Sequence, residues 1–187
     1  IVGLKGINGS GKTMLMRLMS GLIKPTQGQI RINEHTLWKD ISFPESIGLL
    51  LENPSFLDPY SGFENLRMLA SIKNVVKDEQ IKKVIETVGL DPEDKKKYRK
   101  YSLGMKQRLG IAAAIMESPD IIILDEPTNS LDSDGVSIVK DIVTRERNRG
   151  ALVILACHDY EVLRFLADEI HVIEKGRITD HIKEAGA

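Results

Sequence analysis

The sequence predicts an α/β fold: a mostly parallel sheet with helices on both faces, an inserted helical subdomain and a truncated antiparallel margin. Three observations predict it. Short, β-rich apolar runs recur along the chain, and each ends at a Gly, an Asp or a turn. Helical patterns alternate with them, as a parallel sheet with covered faces requires. One stretch, from about residue 53 to 119, carries helical patterns alone, too many for one crossover.

Taken in order, Ile1–Lys5 reads as a buried strand. The chain opens without Met inside this pattern, so one or more strands are expected before it. Thr13–Ser20 reads as a helix stopped by Gly21, a C-terminal glycine cap. Gly28–Asn33 (G-Q-I-R-I-N) alternates with period two and reads as an antiparallel strand at the margin. Gly48–Leu51 is the next buried strand. Phe63–Ile72 places Phe63, Leu66 and Ala70 at helical spacing. Asp78–Val88 has Asp78 as N-cap and Gly89 behind its end. Leu103–Met116 has Ser102 as N-cap and stops before Pro119. Strands Ile121–Leu124, Leu152–Ala156 and Ile170–Ile173 then alternate with helices Gly135–Arg147 and Tyr160–Ala167. The division expected is one domain, with a core of residues 1–52 and 120–187 around a helical subdomain of about 53–119.

Composition agrees. At 187 residues the chain suits one domain of roughly 100–200 residues. Its 26 Lys and Arg against 27 Asp and Glu leave a net charge of −1, without the basic excess of a dedicated nucleic-acid binder. Cys157 is the one cysteine, so no intramolecular disulfide can form. The longest apolar run, Ala151–Cys157, falls far short of the ~20 residues of a membrane helix.

Gly6-Ile7-Asn8-Gly9-Ser10-Gly11-Lys12-Thr13 fits G-x-x-x-x-G-K-[ST] and sits where that motif works, after a strand and opening a helix. Gly6, Gly9 and Gly11 let the backbone wrap tightly, so the N–H groups around Asn8 and Ser10 turn inward as an anion nest. The helix start adds partial positive charge. Lys12 would reach the β- and γ-phosphates of a nucleotide, and the Thr13 hydroxyl would ligate Mg²⁺. Ile121–Leu124 then runs into Asp125 and Glu126. In a P-loop NTPase a carboxylate at such a strand end helps hold Mg²⁺, which assigns Asp125 to the metal. Its neighbour can polarise the attacking water, which assigns Glu126 as general base.

Tyr101-Ser102-Leu103-Gly104-Met105-Lys106-Gln107-Arg108 resembles the signature motif of ATP-binding-cassette (ABC) ATPases. Ser130-Leu131-Asp132 resembles that family's D-loop, and His158 its switch histidine. The resemblance covers nearly the whole chain. It implies an ATP- and Mg²⁺-dependent hydrolase, with a second ABC ATPase subunit and an integral membrane permease as partners. It further implies a peripheral position on the cytoplasmic face of the membrane. Two cassettes would pack head to tail, with Ser102 and Gly104 of one facing the γ-phosphate held by the other. His158 would contact that phosphate and the water, and Asp132 would link the two sites. Glu52 stands where most cassettes carry Gln, and Leu103 and Met105 depart from the usual Gly and Gln. Glu52 with this signature resembles cassettes of the bacitracin-resistance and lantibiotic-immunity type, which implies export of peptide antibiotics. The competing classes are a soluble ABC ATPase without a permease, of the translation-factor or DNA-repair and chromosome type, and a regulatory subunit that holds ATP without useful hydrolysis. The adenine-stacking aromatic of the family falls upstream of Ile1.

Phe56, Tyr60 and Phe63 are either permease-facing anchors or packing residues of the helical subdomain. Lys95-Lys96-Lys97, Arg99 and Lys100 read as a solvated basic face, Cys157 as a small strand residue and Trp38 as a packing residue at the margin. His35, His171 and His181 show no ligand spacing, so no structural metal site is expected from them.

Overall fold

β1 (Val2–Lys5) runs through the interior of a six-stranded sheet in the computed structural model, which describes residues 1–183. Strand order is β4-β5-β6-β1-β7-β8, with β4 at Ile47–Leu50, β5 at Ile121–Asp125, β6 at Leu152–Ala156, β7 at Glu169–Glu174 and β8 at Arg177–Lys183. Every neighbour pair is parallel except β7–β8. Successive side chains leave a strand on opposite faces. Leu4, Ile123, Ile154 and Ala156 therefore meet Met16 of α1 (Lys12–Met19) on one face. Ile122, Leu124, Val153 and Leu155 join the larger cluster under the remaining helices on the other.

The inserted segment holds α2 (Gly62–Lys73), α3 (Asp78–Thr87), a 3₁₀ turn at Tyr98–Lys100 and α4 (Leu103–Ile115). Ser61 and Glu64 form a capping box at α2. Asn65, buried behind it, accepts from the Leu57 N–H at 2.8 Å and donates to the Ser61 carbonyl at 2.9 Å, which fixes the incoming loop. The Tyr98 hydroxyl donates to the Pro54 carbonyl at 2.6 Å, and Phe56 stands edge-on to that ring at 5.3 Å. Phe56 and Phe63 are thus packing residues, while Tyr60 is exposed. After β5 come α5 (Ser133–Arg149) and α6 (Tyr160–Leu166).

Two expectations need correction. Asp78 is not the N-cap of α3; the Gln80 side chain accepts from the Lys77 N–H at 2.8 Å, so the helix boundary falls at Lys77. Gly28–Asn33 is not one marginal strand. Only Arg31–Ile32 (β2) is extended; the chain reverses at Asn33, φ 53°, into β3 (His35–Thr36), a hairpin outside the main sheet. The antiparallel edge of the main sheet is instead β8, whose residues are nearly all exposed, so no core pattern announces it.

Gly48 decides how α4 meets the sheet. A Cβ there would lie 1.8 Å from the Ala114 carbonyl oxygen and 2.9 Å from Pro119. Gly48→Ala is expected to cost about 1–3 kcal/mol through overpacking. At roughly 2–4 °C per kcal/mol for a chain of this size, thermal melting resolves it. An unchanged melting temperature would show that helix and strand do not approach so closely.

Candidate functional site

The glycine loop leaves β1 and enters α1 at Gly11, whose φ of 111° only glycine takes without strain. No side chain caps α1 and no acidic residue lies in its first turn, so its first N–H groups are open to an anion. Gly6 is required sterically: a Cβ would meet Ser10 Oγ at 2.4 Å and the Ile173 carbonyl at 2.5 Å. Lys12 is buried and folds back over the loop, donating from Nζ to the Gly6 carbonyl at 2.7 Å and the Ile7 carbonyl at 3.3 Å. Ser10 Oγ is buried and lacks a partner among the described residues.

The acidic end of β5 lies against this loop. Asp125 Oδ2 accepts from the Thr13 hydroxyl at 2.5 Å. Burial pushes the Asp125 carboxyl up and the Glu126 charge adds to this, while the Thr13 hydrogen bond and Lys12 oppose it. Glu126 leaves the strand in the left-handed region, φ 50°. Its backbone is held from both sides: its N–H donates to the Ala156 carbonyl at 2.9 Å, and its carbonyl accepts from Gln107 Nε2 at 3.0 Å. Its Oε2 accepts from the His158 N–H at 3.1 Å and lies 2.7 Å from His158 Nδ1. Its Oε1 is buried and lacks a partner among the described residues.

Glu52 is a second left-handed carboxylate, φ 57°, and accepts from Arg17 Nη2 at 2.7 Å. Gly9, Lys12, Thr13, Glu52, Asp125 and Glu126 line one cleft of about 580 Å³, which Asn8 and Gly11 also border. Gly6, Ser10 and His158 border an adjoining cavity of about 430 Å³ that shares Asn8 and Gly9. Ser102 and Gly104 join neither. They line a separate cleft with Arg108, Ser130 and Asp132. There Ser102 caps α4, accepting from the Met105 N–H at 3.2 Å. Asp132 caps α5 through the Gly135 N–H at 2.9 Å and receives Arg108 Nη2 at 3.1 Å; the backbone bond first, then the Arg108 charge, hold its carboxyl below the usual range.

Sequence reading missed Arg17 and Gln107. Arg17 carries no local signal, because its partner is 35 residues away. Gln107 carries one: it is the polar residue among the otherwise apolar buried positions of α4.

Residues 1–129 match the family described as ABC transporter. The uncharacterized ABC transporter ATP-binding protein YybJ of Bacillus subtilis (strain 168) is 50% identical, over 95% of this chain and 82% of that protein. The bacitracin transport ATP-binding protein BcrA of Enterococcus faecalis is 38% identical, over 97% of this chain and 60% of its own length. The lantibiotic transport ATP-binding protein SrtF of Streptococcus pyogenes is 34% identical, over 95% of this chain and 76% of its own length. The chain thus spans about three fifths of BcrA. The fold is shared with the ATP-binding cassette MJ0796, solved as a dimer in a post-hydrolysis state bound to ADP and Pi, at a TM-score of 0.88 and 22% identity over 100% of this chain and 86% of that one.

Proposed function

The chain belongs to the ABC transporter family, and on that premise we propose that it is an ATP-hydrolysing subunit that powers a membrane permease. The observation that carries the reading is the cleft in which Lys12, the Thr13–Asp125 pair and Glu126 converge. The residues fit the groups implied. A nest of N–H groups with a buried Lys suits a polyphosphate, and the Thr13 hydroxyl beside the Asp125 carboxylate offers the hard oxygen donors that Mg²⁺ takes. Ser10 Oγ and Glu126 Oε1 are buried polar atoms without a partner among the described residues. When bound there, Mg²⁺ would neutralise phosphate charge.

Lys12 exchanges its loop carbonyls for the β- and γ-phosphates. Glu126 is held by His158 where it lines the cleft, and its carboxylate would accept a proton from the attacking water. His158 orients that carboxylate and the water together. Ser102 and Gly104 lie in another cleft than Lys12, which supports a composite site: the start of α4 in a second subunit supplies N–H groups and dipole to the γ-phosphate. No helix among the described residues is long and apolar enough to cross a membrane. Attachment to the cytoplasmic face is proposed through the permease, near exposed Leu57 and Tyr60. The names of BcrA and SrtF support peptide antibiotics as the cargo class.

Co-purification of the full-length protein tests the transporter reading. A polytopic membrane protein should accompany it; recovery with ribosomes or DNA would instead favour a permease-free ATPase.

Arg17 compensates the charge that Glu52 brings to the phosphates. The pair is too exposed to matter much for stability. Arg17→Ala is expected to raise the KM for ATP roughly fivefold, the equivalent of about 1 kcal/mol, and Glu52→Gln in the same chain should restore it. Equal KM values in all three proteins would show that the pair does not act on the nucleotide.

A further inference from the structure

The β7–β8 hairpin turns at Lys175 and Gly176 and pairs His171 directly with His181. Glu169, two residues before His171, projects on the same face. The two imidazoles are stacked, 4.4 Å between centroids and 8° from parallel. His181 Nε2 lies 2.9 Å from one Glu169 carboxylate oxygen and His171 Nε2 lies 3.9 Å from the other. One ligand atom from each of the three residues falls within 4.8 Å of the others. His171 and His181 show no ligand spacing along the chain, yet the fold sets them side by side with Glu169. A separation of ten residues carries no metal-site signature, but an antiparallel register brings its ends together.

We propose that Glu169, His171 and His181 form a surface site for a borderline divalent transition cation, Zn²⁺ in the first instance. Two imidazole nitrogens and one carboxylate oxygen are a donor set that Zn²⁺ takes with water in its fourth position. Mg²⁺ prefers oxygen ligands alone, so this site is chemically distinct from the one at Thr13 and Asp125. The rings need to turn until their Nε2 lone pairs converge, at about 2.0–2.1 Å from the metal. All three side chains are partly exposed. His171 Nδ1 has no partner among the described residues. The outer-shell hydrogen bond that strengthens many sites is missing there, which points to micromolar rather than nanomolar affinity. Occupancy would staple the exposed edge strand β8 to β7.

Glu126, Cys157 and His158 are the competing group. There the thiol is buried and its sulfur lies 3.4 Å from the Thr128 hydroxyl. The test is Zn²⁺ titration of the nucleotide-free, full-length protein against a chromogenic chelator, with melting curves recorded with and without the metal. Wild type should bind Zn²⁺ at micromolar concentration and melt higher with it. His171→Ala and His181→Ala should each lose at least tenfold in affinity and the melting shift, while circular dichroism shows them folded. Cys157→Ala should bind as wild type does. Unchanged affinity in both histidine variants, loss in Cys157→Ala instead, or no binding at micromolar Zn²⁺ would each overturn the proposal.

Discussion

Glu126→Gln is expected to lower steady-state phosphate release by about 10²–10⁴-fold, the usual contribution of a positioned general base, while ATP still binds. The substitution is nearly isosteric. The left-handed backbone at Glu126 is held by main-chain bonds to the Ala156 carbonyl and from Gln107, neither of which involves the carboxylate. A glutamine carbonyl still accepts from the His158 N–H, so the local geometry survives and only basicity is lost. Lys12, Thr13 and Asp125 keep their places, so affinity for ATP should remain close to wild type. Phosphate release, equilibrium ATP binding and light scattering with Mg-ATP check the three parts. Trapped dimers should accumulate in the variant. Normal turnover would remove Glu126 from the chemistry, and a variant that binds ATP yet stays monomeric would mean that a different cassette or the permease supplies the missing half.

Lys12→Ala is expected to weaken ATP binding about 10- to 100-fold, since charge-assisted hydrogen bonds contribute roughly 1.5–3 kcal/mol each and tenfold corresponds to 1.4 kcal/mol. In the free chain the ammonium bridges the Gly6 and Ile7 carbonyls and helps shape the loop. Melting of the nucleotide-free variant separates a misshapen loop from a missing phosphate contact. Unchanged ATP affinity would contradict the cradle.

What could be read from the sequence was what is contiguous or periodic. The glycine loop, the Asp125–Glu126 strand end and the Ser102 cap each lie within a few residues, and their spacing dictates their geometry. The core strands were legible because burial on both faces makes them apolar throughout. β8 was not, because an edge strand exposed along its length needs no apolar face. The β2–β3 hairpin was misread because two-residue strands are too short to show a period. Contacts set by tertiary approach left no local trace: Arg17 with Glu52, Gln107 with the Glu126 carbonyl, and His171 with His181. The last was hidden twice over, since seeing it required the unseen strand.

Helix α4 touches three things at once. Its first turn, at Ser102, opens on the signature cleft; Gln107 grips the Glu126 carbonyl; and Ala114 rests on Gly48 of the sheet. From Ser102 to Gln107 is about one and a half helical turns, or roughly 7.5 Å of rigid rod at 1.5 Å per residue. In a head-to-tail pair, each rod would begin at its neighbour's nucleotide and end at its own base. Whatever displaces one end moves the other, so neither nucleotide could be cleaved without the opposite site registering it. The expected signature is cooperativity: a Hill coefficient above one for ATP, falling toward one when Gln107 is shortened to Ala and the strut loses its grip.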